Sequence, residues 1–352
     1  MKAGSQSLPG QLLMLRLAEP RWSSALERRL RALAPGGILL AGPLARSPAS
    51  LCELLSRISR SLPVAPFLAI REEGGARGPL AVLLPPLPPP RAMAGRGVVA
   101  TGQMGELIGE ALSLLGFNTN FAPLLDLATP FTEKTLGERA FGSDPKRVAE
   151  SGRVFLRGLR RHKILGCGKH FPGWGSVPPA TTHELPQSGK PMAGLWREDL
   201  VPFRELLPQL PMLLLSNAAY KAYDFDHPRA GALSSQVVEG LLRAKVGYRG
   251  LALACDLESD AVRGALSLGE AAVRAINVGC DMVIVEKQES WLTMQQALVG
   301  ALEAGKLPCD RLEQALERIR AAKRGLRPPR GQLSKIAWDR LARRFEEFAC
   351  GA

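Results

Sequence analysis

The sequence predicts a single-domain α/β protein, a TIM-type (β/α)8 barrel. Short, continuous apolar runs alternate with longer amphipathic stretches along the 352 residues. Continuous rather than alternating apolar runs indicate strands buried on both faces, as in a parallel sheet covered by helices. About seven or eight such units fit a barrel of this length. A doubly wound sheet is the alternative, but no G-x-G-x-x-G follows a strand and no Walker loop is present, so nothing favours nucleotide binding.

Seven apolar runs are predicted strands because each has the length and flanking turn residues of a buried strand. In chain order they lie in residues 36–42, 66–70, 118–127, 164–171, 212–218, 250–257 and 282–285. Amphipathic segments between and after them are predicted helices. These segments span residues 47–61, 102–115, 144–161, 194–206, 235–245, 268–277 and 290–304.

The remaining segments complete the predicted domain. The Pro-rich segment 83–97 is predicted to be a loop over one face of the barrel. Residues 1–327 are assigned to the barrel. Residues 328–352 are predicted to form a helical tail that packs on it, with an assembly contact as the alternative.

Composition and charge exclude several classes of protein. Apolar residues make up 46% and charged residues 22%, as in ordinary globular proteins. The net charge of +13 is mostly arginine spread along helices, without an aromatic-basic RNA motif, so no nucleic-acid partner is expected. The N-terminal apolar patch is short and interrupted by Arg16, which predicts a cytoplasmic protein without a membrane partner. The six scattered cysteines predict reduced thiols and no metal or cofactor site.

Unusual polar residues follow several predicted strands, where the working residues of a barrel lie. The segments are REEGG (71–75), NFAPLLD (120–126), GERAFGSDP (137–145), KHFPG (169–173) and ACDL (254–257), with GQLLM (10–14) near the start. In order and spacing they resemble glycoside hydrolase family 3, and within it the short, single-domain bacterial β-N-acetylhexosaminidases. The resemblance runs from about residue 10 to about residue 325 and implies a barrel of the family's N-terminal type.

The resemblance implies retaining glycoside hydrolysis. In such a reaction a carboxylate forms a glycosyl-enzyme, and a second group first protonates the leaving oxygen and later activates water. His183 matches the acid/base, a role that suits an imidazole titrating near neutral pH. The resemblance also implies a sugar-binding group of residues. It consists of Lys169, His170, Arg139, Asp126 and Glu73. The structural alternatives are that Lys169 and His170 satisfy each other or backbone carbonyls, that Arg139 forms an ion pair at the barrel rim, that Asp126 caps a turn, and that His183 is an ordinary exposed histidine.

Three positions depart from the family's pattern. The aspartate that orients the histidine is Thr181, which carries no charge to stabilise an imidazolium. A substrate-binding aspartate is replaced by Arg71, which reverses the charge. Cys255 takes the place of the attacking aspartate, and its neighbour Asp256 should point to the opposite face if the strand continues. Glu258 is a further candidate for the attack if the strand has already ended.

Three functions remain open from the sequence. The first is an intact or impaired hydrolase of N-acetylglucosaminyl glycosides such as peptidoglycan fragments, using His183 with Asp256 or Glu258. The second is a degenerate barrel that binds a sugar or a protein partner without turnover. The third is an anion-binding or nucleic-acid-binding protein, which rests on the positive charge alone.

Overall fold

Eight parallel strands form a closed barrel, as predicted. The computed structural model describes residues 8–19, 21–41, 47–180 and 184–351. The strands are β1 (Leu13–Leu17), β2 (Gly37–Leu40), β3 (Phe67–Ile70), β4 (Thr119–Asn120), β5 (Leu165–Phe171), β6 (Met212–Leu215), β7 (Leu251–Ala254) and β8 (Met282–Val285). Each strand pairs with its neighbours in chain order, and β8 closes on β1. The predicted (β/α)8 barrel is therefore confirmed.

Helices surround the barrel. They are α1 (Ser24–Leu33), α2 (Pro48–Ser61), α3 (Pro90–Arg96), α4 (Val98–Leu115), α5 (Pro145–Arg161), α6 (Met192–Arg197), α7 (Val201–Leu206), the π-helix Gln236–Lys245, α8 (Asp260–Arg263), α9 (Leu268–Asn277), α10 (Ser290–Glu303), α11 (Cys309–Lys323) and α12 (Lys335–Cys350). Short 3-10 turns lie at Pro9–Leu12, Pro79–Val82, Gly137–Arg139, Leu207–Gln209 and Gly231–Leu233. No described helix combines the length and apolarity that crossing a membrane requires.

Local sequence fixes where several helices begin. The side chains of Ser23, Ser47 and Asp144 accept a hydrogen bond from a backbone N–H of the first turn of α1, α2 and α5. Before α9, Ser267 and Glu270 form a capping box. Such caps satisfy N–H groups that have no partner inside the helix.

Two glycines allow α4 and α5 to pack with their backbones in contact. A Cβ on Gly158 would lie 2.4 Å from the backbone nitrogen of Glu106, and one on Gly105 would lie 2.5 Å from the carbonyl oxygen of Phe155. Side chains at these positions would push the helices apart, because no real Cβ approaches backbone so closely.

Two predicted elements differ from the structure. The run around Leu13–Leu17 was not predicted as a strand, yet it forms β1 with Arg16 half-buried near its end. The single helix predicted at 194–206 is two short helices, α6 and α7. Pro202 lies in the first turn of α7, where a missing N–H is tolerated but a continuous helix is not.

The C-terminal helix α12 lies against α4. Trp338, Leu341 and Phe345 are buried, and Arg344 forms an ion pair with Glu110 of α4. Phe345 also lines a small cavity together with the loop that follows β3. The helix therefore supports one of the loops at the barrel mouth, the open end at which the carboxyl ends of the strands meet. The domain boundary at residue 327 stays a prediction.

Candidate active site at the barrel mouth

The loop after β3 is held by its own buried carboxylate. The Glu72 side chain accepts hydrogen bonds from the backbone nitrogens of Gly74 at 2.6 Å and Leu80 at 2.8 Å. Asn120 accepts the backbone N–H of Glu72 and donates to its carbonyl oxygen. Gly74 and Gly75 have φ values of +90° and +82°, which favour glycine. Burial raises the pKa of Glu72 to about 7. The turn presents the next carboxylate, Glu73, to the mouth.

Glu73 joins two cations from other loops. Lys169 Nζ lies 2.5 Å from Glu73 Oε1, and Arg139 binds both carboxylate oxygens at 2.7 and 2.8 Å. Lys169 also donates to the carbonyl oxygen of Phe121. Burial raises the pKa of Glu73, but the charges of Lys169 and Arg139 outweigh it and hold the pKa at about 2. The Arg139 side chain is 44% exposed, so it can still donate to a ligand.

His170 pairs with a different carboxylate. Its Nδ1 lies 2.7 Å from Asp126 Oδ2, and Asp126 Oδ1 accepts the backbone N–H groups of His170 and Trp174. Asp126 is fully buried, and the Trp174 ring contacts the imidazole edge to face. Asp126 thus acts both as an anchor for the loop and as a partner that fixes the orientation of the ring. Lys169 and His170 do not pair with each other, because each has its own carboxylate.

A local irregularity of β5 separates these two neighbours. The register of β5 against β6 shifts between Lys169 and Phe171. Bulges of this kind turn side chains away from strict alternation. Consequently Lys169 is buried at the level of Glu73, whereas His170 is 23% exposed beside Asp126.

Strand β7 ends one residue before Cys255. The Cys255 Sγ lies 3.6 Å from Asn217 Oδ1, and Asp256 Oδ2 lies 3.4 Å from Asn217 Nδ2. Asp256 has a left-handed backbone, with φ of +58°. Because the strand has already ended at Ala254, the alternation expected for a continuing strand does not apply here, and both side chains contact Asn217. Burial raises the pKa of the Cys255 thiol to about 12, so the thiol is protonated near neutral pH.

The sequence predictions missed an ion pair across the mouth. Arg71, which follows β3, donates from Nη2 to Glu286 Oε1 at 2.6 Å. Glu286 follows β8, and its Oε2 lies 3.5 Å from Nε of Arg16 in β1. Glu258 Oε1 accepts the backbone N–H groups of Glu286 and Lys287. The signal that could have found Glu286 was its position, because it stands directly after the last predicted strand.

His183 and Thr181 lie outside the described residues, so their predicted roles are not tested by the geometry. The loop that leads to them is described as far as residue 180 and again from Glu184. Within the described ranges, no group of three or more His, Cys, Asp or Glu side chains is arranged to hold a metal ion.

The fold and the mouth together define a class of protein: a (β/α)8 barrel with fixed, buried carboxylates and exposed N–H donors where barrel enzymes bind their substrates. Residues 9–322 match the glycosyl hydrolase family 3 N terminal domain. The chain belongs to this family, and the resemblance seen in the sequence is confirmed.

Individual relatives agree with this assignment. The chain is 32% identical to a beta-hexosaminidase of Alkalilimnicola ehrlichii over 281 residues, which cover 78% of this chain and 80% of that protein. It is 31% identical to a beta-hexosaminidase of Pseudomonas aeruginosa over 270 residues, which cover 75% and 79% of the two chains. In both cases the matched region covers about four fifths of the relative's length.

Solved structures give the same result. A glycoside hydrolase family 3 beta-N-acetylglucosaminidase from a Paenibacillus species superposes with a TM-score of 0.87 at 26% identity, covering 99% of this chain and 69% of that one. The beta-N-acetylglucosaminidase from Thermotoga maritima superposes with a TM-score of 0.81 at 27% identity, covering 92% and 68%.

Proposed function

We propose that this protein hydrolyses N-acetylglucosaminyl glycosides with retention of the anomeric configuration. The observation that carries the proposal is the cluster in which Glu73 holds Lys169 and Arg139 at the barrel mouth. Its geometry suits the hydroxyl groups of a sugar, because the donors are fixed before any ligand binds. The names of its relatives, beta-hexosaminidase and beta-N-acetylglucosaminidase, support this substrate class.

Each described residue of the site has a role in this proposal. Arg139 and His170 donate to hydroxyl oxygens, since both side chains are partly exposed. Glu73 and Asp126 hold these donors in place through bonds of 2.7–2.8 Å. Lys169 is 2% exposed and mainly compensates the buried charge of Glu73.

His183 is the proposed acid/base. An imidazole can protonate the leaving oxygen and then accept a proton from water, because its ordinary pKa lies near neutral pH. Thr181 can accept or donate a hydrogen bond but adds no negative charge. The pairing therefore orients the imidazole more weakly than a carboxylate would, and slow turnover follows.

The attacking group stands near Cys255. A protonated thiol is a poor nucleophile, and a thioglycoside would hydrolyse slowly, so a carboxylate near Cys255 is required for efficient turnover. Asp256 and Glu258 are the candidates from the sequence. Peptidoglycan fragments in the cytoplasm are the proposed natural substrates.

Hydrolysis of an aryl N-acetyl-β-glucosaminide tests the proposal. We expect release of the phenol, a β-configured first product by NMR, and loss of activity in His183→Ala. His227→Ala, at an exposed histidine, is the matched control and should retain full activity. Arg139→Ala should raise KM, because it removes a donor to the sugar. An absence of turnover on aryl glycosides under all conditions would contradict the proposal.

The buried thiol at position 255 favours one second candidate, a barrel that binds the sugar without turnover. Calorimetric titration with N-acetylglucosamine would then show binding although no glycoside is hydrolysed. Activity should appear in Cys255→Asp combined with Thr181→Asp. A native protein with ordinary rates would eliminate this candidate.

A further inference from the structure

We propose that Glu286, at the end of β8, is the carboxylate that attacks the anomeric carbon in place of Cys255. The inference rests on the proposed function, because it assigns the attacking group of that reaction. Strand β8 lies next to β7 in the barrel, with Val283 opposite Ala254, the residue before Cys255. A carboxylate at the end of β8 can therefore replace a nucleophile that is missing at the end of β7.

Arg71 brings the Glu286 carboxylate over the mouth. Arg71 follows β3, so a bond of 2.6 Å to Glu286 spans the opening from one side of the barrel to the other. Burial is the largest cause of the raised pKa of Cys255; the Arg71 guanidinium opposes it and the Glu286 carboxylate adds to it. Both charges therefore act directly on the position of the missing nucleophile.

The two oxygens of Glu286 are held differently. Oε1 forms the short bond to Arg71, whereas Oε2 lies 3.5 Å from Arg16 Nε. The ion pair stabilises the negative charge of the carboxylate. The side chain is 19% exposed, and we assign Oε2, the oxygen with the longer contact, as the attacking atom.

The neighbouring carboxylates are less suited to attack. Glu258 Oε1 accepts two backbone N–H groups, at 2.9 and 3.2 Å, and its Oε2 is buried out of reach of a ligand in the mouth. Asp256 Oδ2 lies 3.4 Å from Asn217 Nδ2, and burial, followed by the charge of Glu286, raises the pKa of this carboxyl. Glu73 is bound by two cations, and Asp126 by His170 and two backbone N–H groups.

The proposed step balances as in other retaining glycosidases. A lone pair of Glu286 Oε2 forms a bond to the anomeric carbon while the bond from that carbon to the leaving oxygen breaks. The leaving oxygen keeps the bonding electrons and takes a proton from the acid proposed at His183. Water then attacks the same carbon, its proton returns to His183, and the carboxylate leaves with the electron pair.

Trapping on the wild-type protein tests the assignment without a variant that might misfold. The probe is a 5-fluoro-N-acetylglucosaminyl fluoride, in which ring fluorine slows both steps while fluoride leaves readily. Trypsin separates the candidates, because Glu286 lies in the peptide of residues 275–287 whereas Cys255, Asp256 and Glu258 lie in residues 250–263. We expect the added mass on the first peptide, at Glu286 in the fragment spectrum. A label in 250–263 would leave the proposed function intact and overturn this inference.

Variants give a second readout. Glu286→Gln should lower kcat on an aryl N-acetyl-β-glucosaminide on the order of a thousandfold. In Glu286→Ala, added azide should restore phenol release and give the α-glycosyl azide, a product that a merely structural role would not generate. Glu289→Gln, at an exposed residue of the same loop, is the control. Unchanged turnover in Glu286→Gln would refute the assignment, and a wild-type protein without turnover or labelling would refute both proposals.

Discussion

Replacing Glu73 by glutamine should strongly destabilise the protein. The change keeps the shape of the side chain but removes its negative charge, which pairs with Lys169 and Arg139. Lys169 is 2% exposed and would remain buried beside Arg139, with a neutral amide in place of the carboxylate. Removing one partner of a buried ion pair typically costs about 3–5 kcal/mol, because the remaining charge is left without compensation. We expect a loss of this size at pH 7.

The loss should depend on pH in a defined direction. The pKa of Glu73 is about 2 in the folded protein, below its ordinary value of 4.5. As the pH falls, the unfolded chain therefore takes up the proton first, and the stability contributed by Glu73 is lost. This stability is fully present above pH 4.5 and disappears as the pH falls toward 2. Between pH 6 and pH 3.5 the difference between wild type and variant should shrink by about 1.5 kcal/mol.

Urea unfolding followed by circular dichroism measures both quantities. The control is Glu205→Gln, which removes the same charge from a half-exposed pair with Arg153 at 2.9 Å. A surface pair of this kind contributes at most about 1 kcal/mol, so the control should change little. If Glu73→Gln costs no more than the control, or if its effect is the same at both pH values, the charge of Glu73 does not stabilise the fold.

Two further predictions concern a thiol and the C-terminal helix. Iodoacetamide at pH 7.5 should modify the exposed Cys309 well before Cys255, because the Cys255 thiol is buried and has a pKa of about 12. Peptide mass mapping over time would show the order of modification. Phe345→Ala should lower the free energy of unfolding by about 3–5 kcal/mol, because the ring is 1% exposed. Ile336→Ala on the same helix is the control, and it should cost less than about 0.5 kcal/mol because Ile336 is 85% exposed. Equal effects of the two substitutions would show that α12 does not pack on the barrel in solution.

The barrel was largely predictable because its strands are short and continuously apolar. Both faces of such strands are covered, so the apolar residues appear as unbroken runs. β1 was missed because Arg16 interrupts its run. The charge is tolerated there since Arg16 stands next to the end of the strand and reaches Glu286 at the mouth. A charge inside an apolar run is therefore compatible with a barrel strand when it lies near the carboxyl end.

The site was predictable only where residues from one segment carry the chemistry. Lys169 and His170 stood out within a single motif. The sequence could not show that Lys169 pairs with Glu73 and His170 with Asp126, and the structure does. The pair of Arg71 and Glu286 joins residues that are 215 positions apart. No local pattern relates them, because their proximity exists only once β8 has closed on β1.

The charges of Arg71 and Glu286 at the barrel mouth are better explained as a pair than one at a time. Arg71, considered alone, would leave an unpaired cation at the barrel mouth. The carboxylate of Glu286 compensates that cation and adds a negative charge that acts on the Cys255 thiol. Charge compensation by itself accounts for a carboxylate in this place, because Glu286 contacts both Arg71 and Arg16. The trapping experiment therefore decides whether Glu286 also attacks the anomeric carbon or only neutralises the two arginines.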